Sequence, residues 1–129
     1  MTAKNPWLII GTLSAGLAVA AGAYGWHGLG DNKFFKDAFW VGVQFHMWHS
    51  LALLAVAWFT DSRPQTDRGA AQAKWGRIAG LLFVLGMLLF SGTLYVFGVT
   101  QSLPAAGLAP AGGMTLMAGW AIFAFAATR

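Results

Sequence analysis

Residues 78–128 contain no Asp, Glu, Lys, Arg or His. An uncharged run of about fifty residues has no place in a water-soluble domain of this size. Two more runs, 5–30 and 38–60, lack Asp, Glu, Lys and Arg altogether. Each is long enough to cross a bilayer, which takes about 20 residues at about 1.5 Å rise per residue. The final run is interrupted by Thr100-Gln101-Ser102-Leu103-Pro104 and by Pro110, so it reads as two crossings. The chain is therefore expected to be all-α: an integral membrane, antiparallel four-helix bundle. One membrane domain spans 1–129, with helices near 6–26, 38–60, 75–99 and 111–127. No run of ten residues alternates polar and apolar, so no membrane β-strand competes.

The balance of 57% hydrophobic and 9% charged residues fits this class. The chain has no cysteine, which excludes disulfides, thiolate metal sites, thiol nucleophiles and covalent haem attachment through Cys-x-x-Cys-His. A net charge of +4 would suggest nucleic acid in a soluble domain. Here the basic residues stand in loops and at the termini, where membrane topology explains them, and no nucleic-acid partner is expected. Lys4, an apolar run and the small residues Ala18-Val19-Ala20-Ala21-Gly22-Ala23 resemble a secretory signal. The segment is read as a retained first crossing, because its removal would leave three.

With four crossings, both termini and the 61–74 loop share one side. That side carries Lys4, Arg63, Arg68, Lys74, Arg77 and Arg129, and the other only Lys33 and Lys36. The positive-inside rule then predicts cytoplasmic termini in a bacterial inner membrane. Trp7, Trp26, Trp40, Trp58 and Trp75 fall near predicted helix ends, where indoles anchor at the headgroup zone. Trp48 and Trp120 fall mid-helix and read as packing or lipid-facing residues.

Helix one is rich in small residues, with Gly16/Ala20 and Ala18/Gly22 four apart. Such pairs let another helix approach closely, so helix one is expected to be central or to contact a partner. Gly16, Gly22, Gly25, Gly76, Gly80, Gly112 and Gly113 are the expected packing glycines. The two halves show no internal repeat, which removes one cue for a transporter.

The residues able to carry chemistry cluster in Gln44-Phe45-His46-Met47-Trp48-His49-Ser50. His46 and His49 are three apart, on neighbouring positions of one helical face. Counted from residue 38, they lie about 12 and 17 Å deep. Ser91, Tyr95 and Thr115 reach similar depths, and His27 stands at the outer end of helix one. Polar groups at such depth face a bundle interior, a partner or a water-filled cavity. Three readings follow. Gln44, His49, Ser50, Ser91, Tyr95 and Thr115 form a structural polar cluster, with neutral imidazoles bonded to Ser91, Tyr95 or a backbone carbonyl. Or His46 and His49, with His27, hold copper, zinc or haem, although Met47 points off their face and no carboxylate lies at that depth. Or the histidines form a proton or ion path, which would want an intramembrane carboxylate. No phosphate loop, dinucleotide fingerprint or hydrolase triad is present.

Four segments carry a resemblance. Gly22-Ala23-Tyr24-Gly25-Trp26-His27-Gly28-Leu29, the stretch from Val43 through Gln44, His46, His49 and Ser50 to Leu54, Leu89-Phe90-Ser91-Gly92-Thr93-Leu94-Tyr95, and Pro110-Ala111-Gly112-Gly113 with Ala118-Gly119-Trp120 occur in order. Together they resemble the signatures of domain of unknown function 423, the YgdD-like small membrane proteins. The resemblance implies four membrane helices and no assigned activity. It marks His27, His49, Ser91, Tyr95, Gly112 and Gly113 as pattern positions without supplying roles. The chain departs from the pattern at His46, where the family usually has glutamine, and at Trp26, where it usually has alanine. A glutamine there favours a hydrogen-bonding role over metal ligation.

The expected function is that of a small multi-pass inner-membrane protein that is not an enzyme. It would be an accessory or assembly subunit of a larger membrane complex, or a small homo-oligomer, with lipid and other membrane subunits as partners and no cofactor. The alternatives are a metal- or haem-binding redox or metal-handling protein, and a small-solute or proton conductor.

Overall fold

The computed structural model describes residues 4–129. Among them are four helices: α1 (Pro6–His27), α2 (Lys33–Asp61), α3 (Asp67–Thr100) and α4 (Leu108–Thr128). All four are long and apolar enough to cross a membrane.

Caps, not hydropathy, set the ends. Asn5 accepts from Trp7 N at 3.0 Å, and Pro6 opens α1 where its missing N–H costs nothing. The same side chain donates from Nδ2 to Ala57 O at 3.0 Å, tying the start of α1 to α2. Asn32 accepts from Phe34 N, so α2 begins at Lys33 rather than near residue 38. Thr66 accepts from Gly69 N, so α3 begins at Asp67 rather than near residue 75. Both extensions run through charged residues, which a helix tolerates freely once it leaves the hydrocarbon. Gln101 at φ 60° ends α3, and Gly107 at φ 85° precedes α4, with Pro110 inside its first turn.

The helices pack in chain order. Along α1, Gly11 lies against Leu53 and Leu54, Gly22 against Val43, and Gly25 against Phe39 of α2. Along α3, Gly98 lies against Phe39, and Gly76 against Phe59 and Thr60 of α2. Gly86 of α3 meets Leu116 of α4, and Gly119 of α4 meets Phe83 of α3. α2 and α3 form the central pair. In their most apolar stretches 44% and 33% of residues are buried, against 17% for each of α1 and α4. The expectation that helix one is central is thus corrected. α1 touches α2 and, through Trp7 over Gly80, α3, and leaves most of its surface outward.

The core is Trp7, Leu53, Val56, Phe83, Met87 and Leu116, with Leu53, Val56 and Phe83 at 0% exposure. Leu13, Leu17, Leu81, Leu88, Met114 and Met117 lie more than half exposed, the outward apolar face that lipid requires. Without a hydrophobic drive between helices in lipid, close packing and hydrogen bonds hold the bundle. The tightest approach of one helix to another's backbone is at Gly112, where a Cβ would meet Phe90 N at 2.5 Å. Only glycine lets α3 and α4 come that close. Among the expected packing glycines, Gly113 makes looser contact with Phe90, and Gly16 has nothing within 4 Å.

The tryptophans divide unevenly. Trp26 and Trp58 are exposed at 70% and 68%, as anchors would be. Trp7, expected as an anchor, is instead 8% exposed and packed into the core.

Candidate functional site

His46, His49 and Ser50 of α2 meet partners on the other three helices. His46 Nδ1 lies 2.8 Å from Tyr95 Oη of α3, and its Nε2 lies 3.0 Å from Ser14 Oγ of α1. Ser14 Oγ is 2.6 Å from Ser50 Oγ. Ser50 donates to His46 O at 2.7 Å, one turn back on its own helix.

That last bond fixes the direction of all the others. A carbonyl only accepts, so the Ser50 proton goes to it. Ser50 Oγ therefore accepts from Ser14 O–H. Ser14, its proton committed, accepts from His46 Nε2–H. The neutral ring then has a bare Nδ1, which accepts from Tyr95 O–H. The result is one directed chain, Tyr95 to His46 to Ser14 to Ser50 to a backbone carbonyl, joining three helices. Met87 Sδ lies alongside, 4.0 Å from Ser14 Oγ and 3.9 Å from Ser50 Oγ.

His49 faces the other flank. Its Nδ1 lies 2.7 Å from Phe45 O, and its Nε2 lies 3.1 Å from Trp120 Nε1 of α4. Phe45 O only accepts and an indole N–H only donates, so this ring carries its proton on Nδ1. Its faces are covered by Phe45 and Phe83, with ring centroids 5.9 and 5.6 Å away. The two histidines thus hold opposite tautomers and serve opposite sides of the central pair.

The other residues singled out in the sequence are placed as follows. Ser50 and Tyr95 join through His46. Ser91, buried, donates to Gly42 O at 2.7 Å and fastens α3 to α2 beside the chain. Thr115 donates to Ala111 O within α4 and does not join. Gln44 is exposed and lines, with His27, Met47 and Trp48, an outward groove of about 580 Å³ between α1 and α2. His27 is therefore not brought to His46 and His49. Among the described residues, no three His, Asp or Glu side chains are grouped to hold a metal ion. No buried side-chain nitrogen or oxygen among them lacks a hydrogen-bond partner.

Ser14 is the residue that sequence reasoning missed. Its signal was depth. Eight residues into α1 it lies about 12 Å along the helix, and Ser50, eleven residues from the α2 end on the same side, about 17 Å. Two hydroxyls within about one helical turn of each other in depth, on neighbouring helices, are natural partners.

Beside this chain, Ser14, His46, Met87, Ser91, Gly92 and Tyr95 line a recess of about 290 Å³ between α1 and α3. Leu17 and Leu88, exposed at 64% and 69%, stand at its lipid-facing edge.

Residues 21–113 match the family model described as "Protein of unknown function (DUF423)". The chain is similar to the UPF0382 membrane protein YwdK of Bacillus subtilis, 35% identical over 95% of this chain and 96% of the relative. It is similar to a UPF0382 membrane protein of Haemophilus influenzae, 32% identical over 95% and 93%. It is also similar to the UPF0382 inner membrane protein YgdD of Escherichia coli K12, 30% identical over 95% and 88%. No solved structure matches the chain. Four membrane-capable helices, a match over most of the length and relatives named as membrane proteins make this chain a membrane protein of the DUF423 family, whose function is unassigned.

Proposed function

We propose that the chain is a non-enzymatic inner-membrane protein that works by association, as an accessory or assembly subunit of a larger membrane complex or as a small homo-oligomer. The observation that carries this reading is the closed hydrogen bonding of the interior. Both ring nitrogens of His46 and of His49 hold partners, and each partner's proton has a destination. Such a cluster ties helices together and leaves no poised acid, base or nucleophile. A metal- or haem-binding reading that uses both rings has to break one of these bonds at each, since a ligating imidazole frees one nitrogen. A proton path has to pass a backbone carbonyl, which has no proton to hand on.

The outward surface supports association. Thr12, Gly16 and Ala20 recur every fourth residue on α1, all exposed, with nothing within 4 Å of Gly16. Small residues at that spacing let a further helix pack closely in lipid. The bundle is read as antiparallel, supported by pairings such as Gly11 with Leu53 and Gly25 with Phe39. Six basic residues against two support cytoplasmic termini. Inner-membrane residence follows the relative named as an inner membrane protein.

Purification in native lipid, with mass spectrometry and metal analysis of what accompanies the protein, tests the reading. A stoichiometric partner or a defined homo-oligomer without metal is expected. A solitary monomer that turns over a substrate contradicts it.

A further inference from the structure

The recess between α1 and α3 has a property that the association reading does not use. Its polar wall consists of Ser14, His46, Ser91 and Tyr95, and its remaining wall is apolar. Every polar proton on that wall is already given away. Tyr95 donates to His46, His46 to Ser14, Ser14 to Ser50, and Ser91 to Gly42 O. What remains on these lining residues is acceptor capacity, on Ser14 Oγ, Ser91 Oγ and Tyr95 Oη. A hydroxyl oxygen that has donated once and accepted at most once keeps acceptor capacity. The wall therefore offers acceptors and no free donors.

We propose that this recess binds a lipid-soluble alcohol or phenol, whose hydroxyl donates to these oxygens while its apolar body lies between α1 and α3. The entrance lies among Leu17 and Leu88, so the ligand arrives from the membrane. An apolar cavity of about 150 Å³ holds a benzene ring. The recess, at about 290 Å³, has room for a body of one or two rings or a short branched chain. A carbonyl compound of the same shape would bring an acceptor to acceptors and bind only by breaking the chain. This inference goes beyond association and does not depend on it.

The probes are 1-naphthol and its methyl ether, which share an apolar body and differ in the donor. Equilibrium binding is measured to the whole protein in nanodiscs, with empty nanodiscs subtracting partition into lipid. Naphthol is expected to bind saturably at about one per chain, and the ether about tenfold more weakly, the effect of one lost hydrogen bond. Gly92 lines the recess and has nothing within 4 Å of its Cβ position, so Gly92→Leu puts bulk at the recess from an uncrowded attachment point. That variant is expected to abolish saturable naphthol binding with the helical content unchanged. If it fails to fold, Leu88→Trp at the lipid-facing edge takes its place. No saturable binding, equal binding of the two probes, or full binding by the filled variant overturns the proposal. Equal binding would identify a recess that takes any apolar body, lipid chains included.

Discussion

His46 and His49 stand one turn apart on α2 and hold their protons on opposite nitrogens. The difference comes from what each ring meets: a carbonyl and an indole for His49, two hydroxyls whose direction is set elsewhere for His46. A glutamine at position 46 has a donor and an acceptor on one planar end, so it can keep both roles. His46→Gln is therefore expected to stay within about 0.5 kcal/mol of the native stability. His46→Leu removes both bonds at once and is expected to cost about 1–3 kcal/mol, since such bonds in membranes average about 0.6 and reach about 1.7 kcal/mol each. Tyr95→Phe removes one and is expected to cost about 0.6 kcal/mol. Reversible unfolding in bicelles measures all three. A leucine variant as stable as the glutamine variant would show that the chain contributes nothing to the fold. The sequence reading already named Tyr95 and a backbone carbonyl as imidazole partners. It missed Ser14, because a serine amid glycines and alanines looks like one more small packing residue until its depth is matched to Ser50.

At the scale of the helix, glycines on α1 and on α4 do different work although both lie in small-residue runs. Gly112 lets the backbone of α4 meet that of α3, and a methyl group there would lie 2.5 Å from Phe90 N. Gly16 points outward with open space around it. Gly112→Ala is expected to destabilise the monomer by about 1–3 kcal/mol through forced separation of the two helices. Gly16→Leu is expected to leave monomer stability within about 0.5 kcal/mol and to act on association alone. Thermal unfolding in nanodiscs, read beside the oligomeric state, separates these outcomes. Equal destabilisation by the two substitutions would place Gly16 at an internal contact. The four membrane-capable helices were legible because hydropathy marks long apolar stretches. The ends of α2 and α3 were not, because Asn32 and Thr66 begin helices outside the apolar span. The flanking position of α1 was hidden for another reason. Small residues mark a helix that can be approached, and do not say by which neighbour.

For the whole molecule, the charges on the two ends of the bundle differ in kind. On the end with the termini, Arg63 donates to Phe59 O and Ser62 Oγ and lies over the Phe59 ring, while Arg68 and Gln72 both donate to Arg129 O. On the other end, Lys33 pairs with Asp37 within the first turn of α2. With no native cysteine, single substitutions report the side directly. Gln65→Cys is expected to resist a membrane-impermeant maleimide added to intact spheroplasts, and Ser102→Cys to react. The reverse pattern would invert the topology.

Native mass spectrometry of the protein released from its own membranes, beside the Gly16→Leu variant, bears most directly on the proposed role. The account predicts a defined assembly for the native chain, either self-association or a stoichiometric partner, without metal or haem, and its loss in Gly16→Leu while the monomer stays folded. A lone native chain carrying about one metal ion or haem, lost in His49→Ala, would contradict it and move the function into the interior of the bundle.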